Sequence, residues 1–312
     1  MPTCPEVSII LPTFNRAHLL PRAIRSILNQ TFSNFELIIV NDSSTDETES
    51  VIQGFTDLRI VYRRQEPQAG AAAGENLGIS IARGSYIAFI DDDDEWLPTK
   101  LEVQVKRFRT EPETTGVVYT GRWRIKNGEK FYGPPTDILS RQGDIHKEIF
   151  TRETFVPLIC AMVRKECFDR AGLFDATLPA SNDYDLWIRF SKHYRFIYIP
   201  EPLVNVHHTE GSISNNPEGI IEARKMLLVK HADEFRTIGK RISAFYLCQI
   251  GSLLIAQGEV TEGRRYLGQA LARFPWNPGF LLALCASFFG QTFYLKVRGW
   301  VYRFVAPTAV QL

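Results

Sequence analysis

The stretch that decides the fold is Tyr86–Trp96, which reads YIAFIDDDDEW and carries four successive aspartates after five apolar or aromatic residues. A short continuous apolar run of this kind is typical of a strand buried on both faces of a sheet. The same arrangement occurs earlier, where FELIIV, residues 35–40, runs into Asn41 and Asp42. Both runs predict strands of an α/β sheet, in which ligands bind at the carboxyl ends of the strands.

Strand and helix patterns alternate over the first 120 or so residues. Strands separated by helical spacing predict parallel βαβ units wound into an open sheet. The further strands are expected at Val7–Leu11 and Arg59–Tyr62, and the helices at Leu19–Leu28 and Ala71–Ala82. After residue 120 the pattern loosens, and after about residue 216 only helices are predicted.

The four carboxylates of Asp91–Asp94 repel one another unless a cation lies among them. Mg²⁺ and Mn²⁺ take oxygen ligands, typically one or two carboxylates together with substrate phosphates. The alternative is a solvated acidic turn that caps the helix beginning near Pro98. The position of the run directly after a buried strand and before Glu95 and Trp96 favours the metal site.

Composition and charge exclude several classes of protein. With 45% hydrophobic and 23% charged residues in 312, the chain has the composition of an ordinary globular protein. A net charge of +1 gives no reason to expect a nucleic-acid partner. The five cysteines are scattered without CxxC spacing, which indicates reduced thiols and a cytoplasmic location.

Four segments of the chain, in this order, resemble the inverting GT-A glycosyltransferases of family 2. They are VSIILPTFNR, AIRSILNQTFSNFELIIVNDSSTDET, GENLGISIARGSYIAFIDDDDEW and NDYDLWIRFS. The resemblance covers roughly residues 5 to 215. It implies a Rossmann-like α/β GT-A catalytic domain with a mostly parallel sheet in residues 1–215. An α-helical C-terminal region is expected to follow in residues 216–312.

The resemblance also implies a function and a cofactor. The expected reaction transfers a sugar from a nucleoside-diphosphate sugar, with a UDP-sugar favoured, to an acceptor hydroxyl in polysaccharide, glycolipid or other glycoconjugate synthesis. The expected cofactor is Mn²⁺ or Mg²⁺. The expected partners are the nucleotide-sugar donor and a saccharide or lipid-linked acceptor.

Several site residues are carried over from the resemblance. Asp42 is expected to accept a hydrogen bond from the donor's base; the less favoured alternative is a helix cap or turn, for which Ser43–Asp46 are suitable residues. The donor-binding residues as a set are Pro12, Thr13, Asn15, Asp42, Asp91 and Asp92.

Asp93 is implied as a metal ligand and Asp183 as the catalytic base. Inversion in a single displacement needs a base to take the acceptor's proton, and such a base contributes about 10²–10⁴-fold. Asp183 opens a predicted helix where Asn182 replaces the family's usual glutamate. His208, just before GSIS, is a further metal ligand by resemblance, or else a surface histidine on a loop.

Two alternative functions stay open, and residues 280–305 have two possible interpretations. A metal-dependent nucleotidyltransferase would need a basic Gly-rich loop after the first strand, where PTFNRAHLL stands. An inactive GT-A scaffold would act through its helical tail. Residues 280–305 mix aromatic side chains with Lys296, Arg298 and Arg303, which predicts either peripheral contact with the cytoplasmic face of a membrane or a packed helical core.

Overall fold

The computed structural model describes residues 4–126, 128–133, 142–151, 156–207 and 216–305. The chain divides into two compact units. The first comprises residues 1–145, 154–176 and 182–210, and the second comprises residues 146–153, 177–181 and 211–312.

The first unit contains strands and helices in alternation. Its strands are β1 (Val7–Thr13), β2 (Phe35–Asn41), β3 (Ile60–Arg64), β4 (Tyr86–Phe89), β5 (Glu95–Trp96), β6 (Thr115–Lys126), β7 (Glu129–Gly133), β8 (Ala161–Arg164) and β9 (Arg195–His207). Its helices are α1 (Leu20–Leu28), α2 (Thr48–Gln53), α3 (Ala71–Ile81), α4 (Lys100–Thr110), α5 (Glu166–Ala171) and α6 (Asn182–Ser191).

The strands form one mixed sheet in the order β3-β2-β1-β4-β8-β6-β9-β5, with β7 paired to β6. The pairs β1–β2, β1–β4, β2–β3 and β6–β9 are parallel. The other four pairs are antiparallel. The parallel βαβ arrangement predicted from the sequence is therefore present in β1–β4, and the antiparallel pairs come from the later strands and from β5, which has only two residues.

The central strands are buried because their residues are apolar throughout. In β1 and β2, Ile9, Ile10, Leu37 and Ile39 have no exposed surface. Helix α3 packs closely on β1, since a Cβ at Gly78 would lie 2.6 Å from Cγ2 of Ile10. A larger side chain at this position would push α3 away from the sheet and shift the loop at its amino end.

The second unit is helical, as the sequence predicts for residues after 216. Its helices are α7 (Pro217–Lys230), α8 (Ala232–Thr237), α9 (Lys240–Ala256), α10 (Val260–Arg273), α11 (Pro278–Ser287) and α12 (Gln291–Val305). A core cluster joins α9 to α12, and the Ser252 and Tyr294 hydroxyls within it are 2.6 Å apart. Among the described residues, no helix has both the length and the apolar character needed to cross a bilayer.

Candidate active site

Several of the predicted site residues lie at the carboxyl ends of the parallel strands. Thr13 ends β1, Asp42 follows β2 directly, and Asp91 comes two residues after β4. Because β1 pairs in parallel with both β2 and β4, these three strand ends share one edge of the sheet. The residues that end or follow β1, β2 and β4 therefore meet at this edge.

Three of the four aspartates form a cluster at this edge. Oxygens of Asp91, Asp93 and Asp94 lie within 4.8 Å of one another. Asp94 is buried, and its Oδ1 accepts a hydrogen bond from the backbone N–H of His207 at 3.0 Å. Asp91 is open to solvent and Asp93 is half-buried. A cluster of this kind offers oxygen ligands of the type that Mg²⁺ and Mn²⁺ prefer.

The environment of the cluster disfavours three negative charges. Burial, followed by the charges of Asp91 and Asp93, raises the pKa of Asp94 to about 9. Desolvation of the carboxyl group, followed by the charges of Asp93 and Asp92, raises the pKa of Asp91 to about 7. Like charges at this distance favour protonation of one or more carboxyls unless a cation compensates them.

Two arginines that the sequence analysis did not single out contact the cluster. Arg16 places Nη1 3.2 Å from Oδ2 of Asp93. Arg22 donates from Nη2 to the backbone carbonyl of Asp93. Both belong to the segment after β1, and their only sequence signal is basic charge next to a strand end that faces an acidic run.

Asp92 is directed away from the cluster towards β1. Its Oδ2 accepts a hydrogen bond from Oγ1 of Thr13 at 2.7 Å. Burial raises the pKa of Asp92 to about 6, although the Thr13 hydrogen bond acts in the opposite direction. Thr13 and Asp92, both predicted to bind the donor, therefore contact each other and connect the ends of β1 and β4.

The Asp42 carboxylate is almost completely buried and already accepts three hydrogen bonds. Oδ1 accepts from Nε2 of Gln65 at 2.8 Å and from the backbone N–H of Ala69 at 2.9 Å. Oδ2 accepts from the backbone N–H of Gly70 at 2.8 Å, just before α3 begins. Since a carboxylate has about four acceptor positions, roughly one is left for a ligand.

Asn15 and Pro12 shape the loops around the strand ends. Asn15 has φ 52°, in the left-handed region that asparagine tolerates better than most residues. Its Oδ1 accepts from the backbone N–H of Thr45 at 2.7 Å, and its own N–H donates to Oγ of Ser44 at 2.9 Å. Pro12 is half-buried. It lies close to α3, since a Cβ added at Gly74 would be 3.4 Å from the Cβ of Pro12.

Asp183 lies in the first turn of α6, as predicted, and is half-buried. Its Oδ1 accepts from the backbone N–H of Tyr184 at 2.8 Å. The Asp183 charge contributes to the raised pKa of Asp91 after burial, Asp93 and Asp92. The fold therefore brings the predicted base into electrostatic range of the acidic cluster, although 89 residues separate Asp183 from Asp94 in the chain.

Glu75 is a further carboxyl that the sequence analysis did not single out. It lies on α3 and is 7% exposed. Burial, followed by the charges of Asp91 and Asp183, raises its pKa well above the usual value for glutamate. An acid within an alanine-rich helix has no sequence pattern that indicates a site, so only the tertiary structure reveals it.

The predicted ligand His208 follows directly on a second histidine, His207. His208 lies outside the described residues. His207 ends β9, and its Nε2 is 3.7 Å from the carboxylate of Glu95. Burial, followed by the charge of Arg22, lowers the pKa of His207. A neutral imidazole is therefore favoured next to the cluster at neutral pH.

Comparison with known proteins agrees with this architecture. The chain is 32% identical over 254 residues to WcaA of Escherichia coli K12, a glycosyl transferase that its name assigns to colanic acid biosynthesis, with 79% of this chain and 88% of that protein covered. It is 41% identical over 184 residues to the E. coli UDP-Glc:α-D-GlcNAc-diphosphoundecaprenol β-1,3-glucosyltransferase WfaP, covering 58% and 68%.

Among solved structures, residues 1–349 of Staphylococcus aureus TarS in complex with UDP-GlcNAc have the same fold. The TM-score is 0.68 at 17% identity, and the superposition covers 94% of this chain and 92% of that one. The expected GT-A fold is thereby confirmed. The sequence profile of glycosyl transferase family 2 matches residues 8–172, which is more than half of the chain. This chain is a glycosyltransferase and belongs to glycosyl transferase family 2.

Proposed function

We propose that this chain transfers a hexosyl or N-acetylhexosaminyl residue, with inversion, from a UDP-sugar to a hydroxyl of a saccharide acceptor carried on a lipid. The observation that carries the proposal is the cluster of Asp91, Asp93 and Asp94 at the end of β4, with Asp183 in electrostatic range. Residues 1–215 would form the catalytic domain, and residues 216–312 the helical C-terminal region.

The cluster suits a divalent cation, and we assign Mn²⁺ or Mg²⁺ to it. Asp93 is the proposed ligand within the cluster, and Asp94, which the sequence analysis did not choose, is available beside it. His208 remains a proposed additional ligand. A bound cation would neutralise the donor's diphosphate and the charge that develops on the leaving nucleoside diphosphate.

The donor's base and ribose are assigned to the neighbouring strand ends. Asp42 retains about one free acceptor position, which suits a single hydrogen bond from N3–H of uracil. Thr13 and Asp92 hold the ends of β1 and β4 together, and Pro12 and Asn15 line the same edge. Asp91, which is open to solvent, is available to the donor.

The proposed catalytic base, which removes the proton of the acceptor hydroxyl, is Asp183. Asp183 lies in the first turn of α6, where the helix dipole is favourable for a negative charge. The charge of Asp183 contributes to the raised pKa values of the neighbouring acids Glu75 and Asp91. A deprotonated Asp183 would accept the proton from the attacking hydroxyl.

A lipid-linked acceptor is favoured because WfaP, by its name, acts on a diphosphoundecaprenol-linked sugar. Such an acceptor is held at a bilayer surface, so we place the protein on the cytoplasmic side with peripheral contact through residues 280–305. Nothing in the family match supports the nucleotidyltransferase alternative. An inactive scaffold would be distinguished by the absence of turnover.

The decisive experiment is a thermal-shift panel of UDP, GDP, CMP and dTDP, each with and without Mn²⁺. The expected result is stabilisation by UDP that requires the metal, since a ligand that binds only the native state stabilises by about 2.7 kcal/mol at 100 times its Kd. Stabilisation by GDP instead would change the donor class. No stabilisation by any nucleotide with Mn²⁺ or Mg²⁺ would overturn the proposal.

A further inference from the structure

The last part of the chain has an uneven charge distribution. No aspartate or glutamate follows Glu262, whereas six basic residues do, namely Arg264, Arg265, Arg273, Lys296, Arg298 and Arg303. The chain as a whole has a net charge of only +1. This segment therefore carries a concentrated positive charge, and such a surface attracts an anionic partner.

Helix α12 within this segment presents an exposed aromatic stripe. Phe293, Trp300 and Phe304 are 44%, 67% and 51% exposed. Together with exposed Lys296 they follow the spacing i, i+3, i+7, i+11, which places all four side chains on one face of the helix. Buried residues of the same helix, Tyr294, Val301 and Val305, occupy a different face and pack into the core.

The stripe continues through the turn between α11 and α12. Phe288 and Phe289 are 65% and 72% exposed, and the Phe289 ring lies 5.1 Å from the Phe293 ring. The guanidinium of Arg264 lies over the Phe288 ring at 4.5 Å. Leu281 on α11, seven residues before Phe288, is also exposed. Aromatic and basic side chains are thus interleaved over one continuous stretch.

We infer that this aromatic–basic face, formed by Leu281, Phe288, Phe289, Phe293, Lys296, Trp300 and Phe304, binds the surface of an anionic lipid bilayer. Apolar and aromatic side chains flanked by basic charge are what an interfacial helix uses to bury itself at the headgroup boundary. Helix α12 has 15 residues, so it would lie in the interface and not cross it. Each basic residue near an anionic surface raises the affinity for it about fivefold.

Charge argues against a second copy of this chain as the occupant. A two-fold symmetric contact brings the same patch of both subunits together. It would therefore bring the Lys296 side chains of both copies into one contact, with no acidic residue after Glu262 to compensate them. An anionic lipid surface meets the same face with opposite charge.

The inference rests on the proposed function, because binding to a bilayer would bring the enzyme to its lipid-linked acceptor. Its test is independent of donor, metal and acceptor. The full chain is sedimented with phosphatidylcholine vesicles and with vesicles that also contain phosphatidylglycerol, at low and high salt. Binding to the phosphatidylglycerol vesicles alone, weakened by salt, is expected.

The variants make the test specific. Phe293→Ser combined with Trp300→Ser is expected to weaken vesicle binding about tenfold or more, because it removes two apolar anchors. Lys296→Glu is expected to weaken it about fivefold or more. The matched control is Phe131→Ser, which replaces a phenylalanine on β7 that is 48% exposed and should leave vesicle binding unchanged. All of these residues are exposed, so folding should persist.

Three outcomes would overturn the inference. They are equal binding to both kinds of vesicle, full binding by the double variant, and light scattering that shows a dimer which the double variant dissociates. The last outcome would assign the face to contact between copies. The nucleotide thermal shift would remain in each case, so failure here is distinct from failure of the proposed transferase function.

Discussion

Arg16 and Asp93 form an ion pair in which Nη1 lies 3.2 Å from Oδ2, and both side chains are largely buried. The guanidinium comes from the segment after β1 and the carboxylate from the acidic run after β4. The residue proposed as the metal ligand is thus already partly neutralised by a basic side chain. Arg16 and a cation would both lower the repulsion among Asp91, Asp93 and Asp94.

The first prediction concerns Asp93 itself. Asp93→Asn is expected to abolish the part of the UDP thermal shift that depends on Mn²⁺, because it removes a charged oxygen ligand from the cluster. Arg16→Gln is the companion variant, and it should raise the affinity for Mn²⁺ without nucleotide about two- to fivefold by removing a competing positive charge. The thermal shift with and without Mn²⁺ measures the first effect, and titration calorimetry with Mn²⁺ alone measures the second. A Mn²⁺-dependent shift that survives in Asp93→Asn would show that the ligand is elsewhere.

The second prediction separates chemistry from binding at Asp183. Asp183→Asn is expected to lower kcat about 10²–10⁴-fold, since the amide cannot accept the acceptor's proton. The thermal shift with UDP and Mn²⁺ should stay within error of the wild type. Steady-state kinetics with a saccharide acceptor provides the measurement. Activity at the wild-type level would exclude Asp183 as the base.

The third prediction concerns Asp185, two residues further along α6, which has a structural role. Asp185 has no exposed surface, and its Oδ2 lies 3.0 Å from Nε and 2.9 Å from Nη2 of Arg189. Arg189 in turn donates to the carbonyls of Gly172 and Leu173 at 3.1 Å and 2.7 Å. Asp185→Asn is expected to lower the free energy of unfolding by about 3–5 kcal/mol, because it leaves a buried guanidinium without its counter-charge.

Urea denaturation monitored by circular dichroism checks this value. The matched control is Asp233→Asn, whose ion pair with Arg236 is exposed and 2.9 Å long. Such surface pairs contribute about 0–1 kcal/mol, so the control should change stability little. If both substitutions cost the same, the buried pair would not be the reason for the effect of Asp185.

The fourth prediction concerns pH and the buried Lys100. Its side chain is fully buried, with Nζ 2.7 Å from Oε1 of Gln104 and 3.9 Å from the centre of the Trp96 ring. Burial lowers the pKa of Lys100 to about 7. A lysine in the unfolded chain has a pKa of about 10.4. Between about pH 7 and about pH 10.4 the Lys100 side chain is therefore protonated in the unfolded chain but not in the native chain. This lysine therefore makes the protein more stable as pH rises.

Lys100→Met should remove that contribution. From pH 7 to pH 9 the wild type is expected to gain about 2 kcal/mol of unfolding free energy relative to the variant. Asp91 and Asp94, whose raised pKa values act in the opposite direction, are present in both proteins and cancel in the comparison. Denaturation at the two pH values provides the measurement. Equal pH dependence in the two proteins would mean that Lys100 keeps an ordinary pKa.

Some strands of the sheet can be predicted from the sequence, and others cannot. Strands β1, β2 and β4 are continuous apolar runs, so burial on both faces is visible in the residues themselves. Strand β8 (Ala161–Arg164) follows a short 3₁₀ helix and includes only the last part of the apolar run of residues 155–163. Strand β5 has two residues and pairs only with β9. Short strands depend on their neighbours more than on their own sequence, so local pattern cannot locate them.

The amino-acid sequence alone determined the family, the parallel strands, the acids at their carboxyl ends and the helical second unit. Each of these properties is local, because hydrophobic spacing and a strand that ends in aspartate can be read within a few residues. Only the tertiary structure decided that Asp92 contacts Thr13 while Asp94 joins Asp91 and Asp93, that Arg16 pairs with Asp93, and that Glu75 lies in electrostatic range of Asp91. The direction of a side chain and its burial depend on contacts between distant segments, and no pattern within one segment contains them.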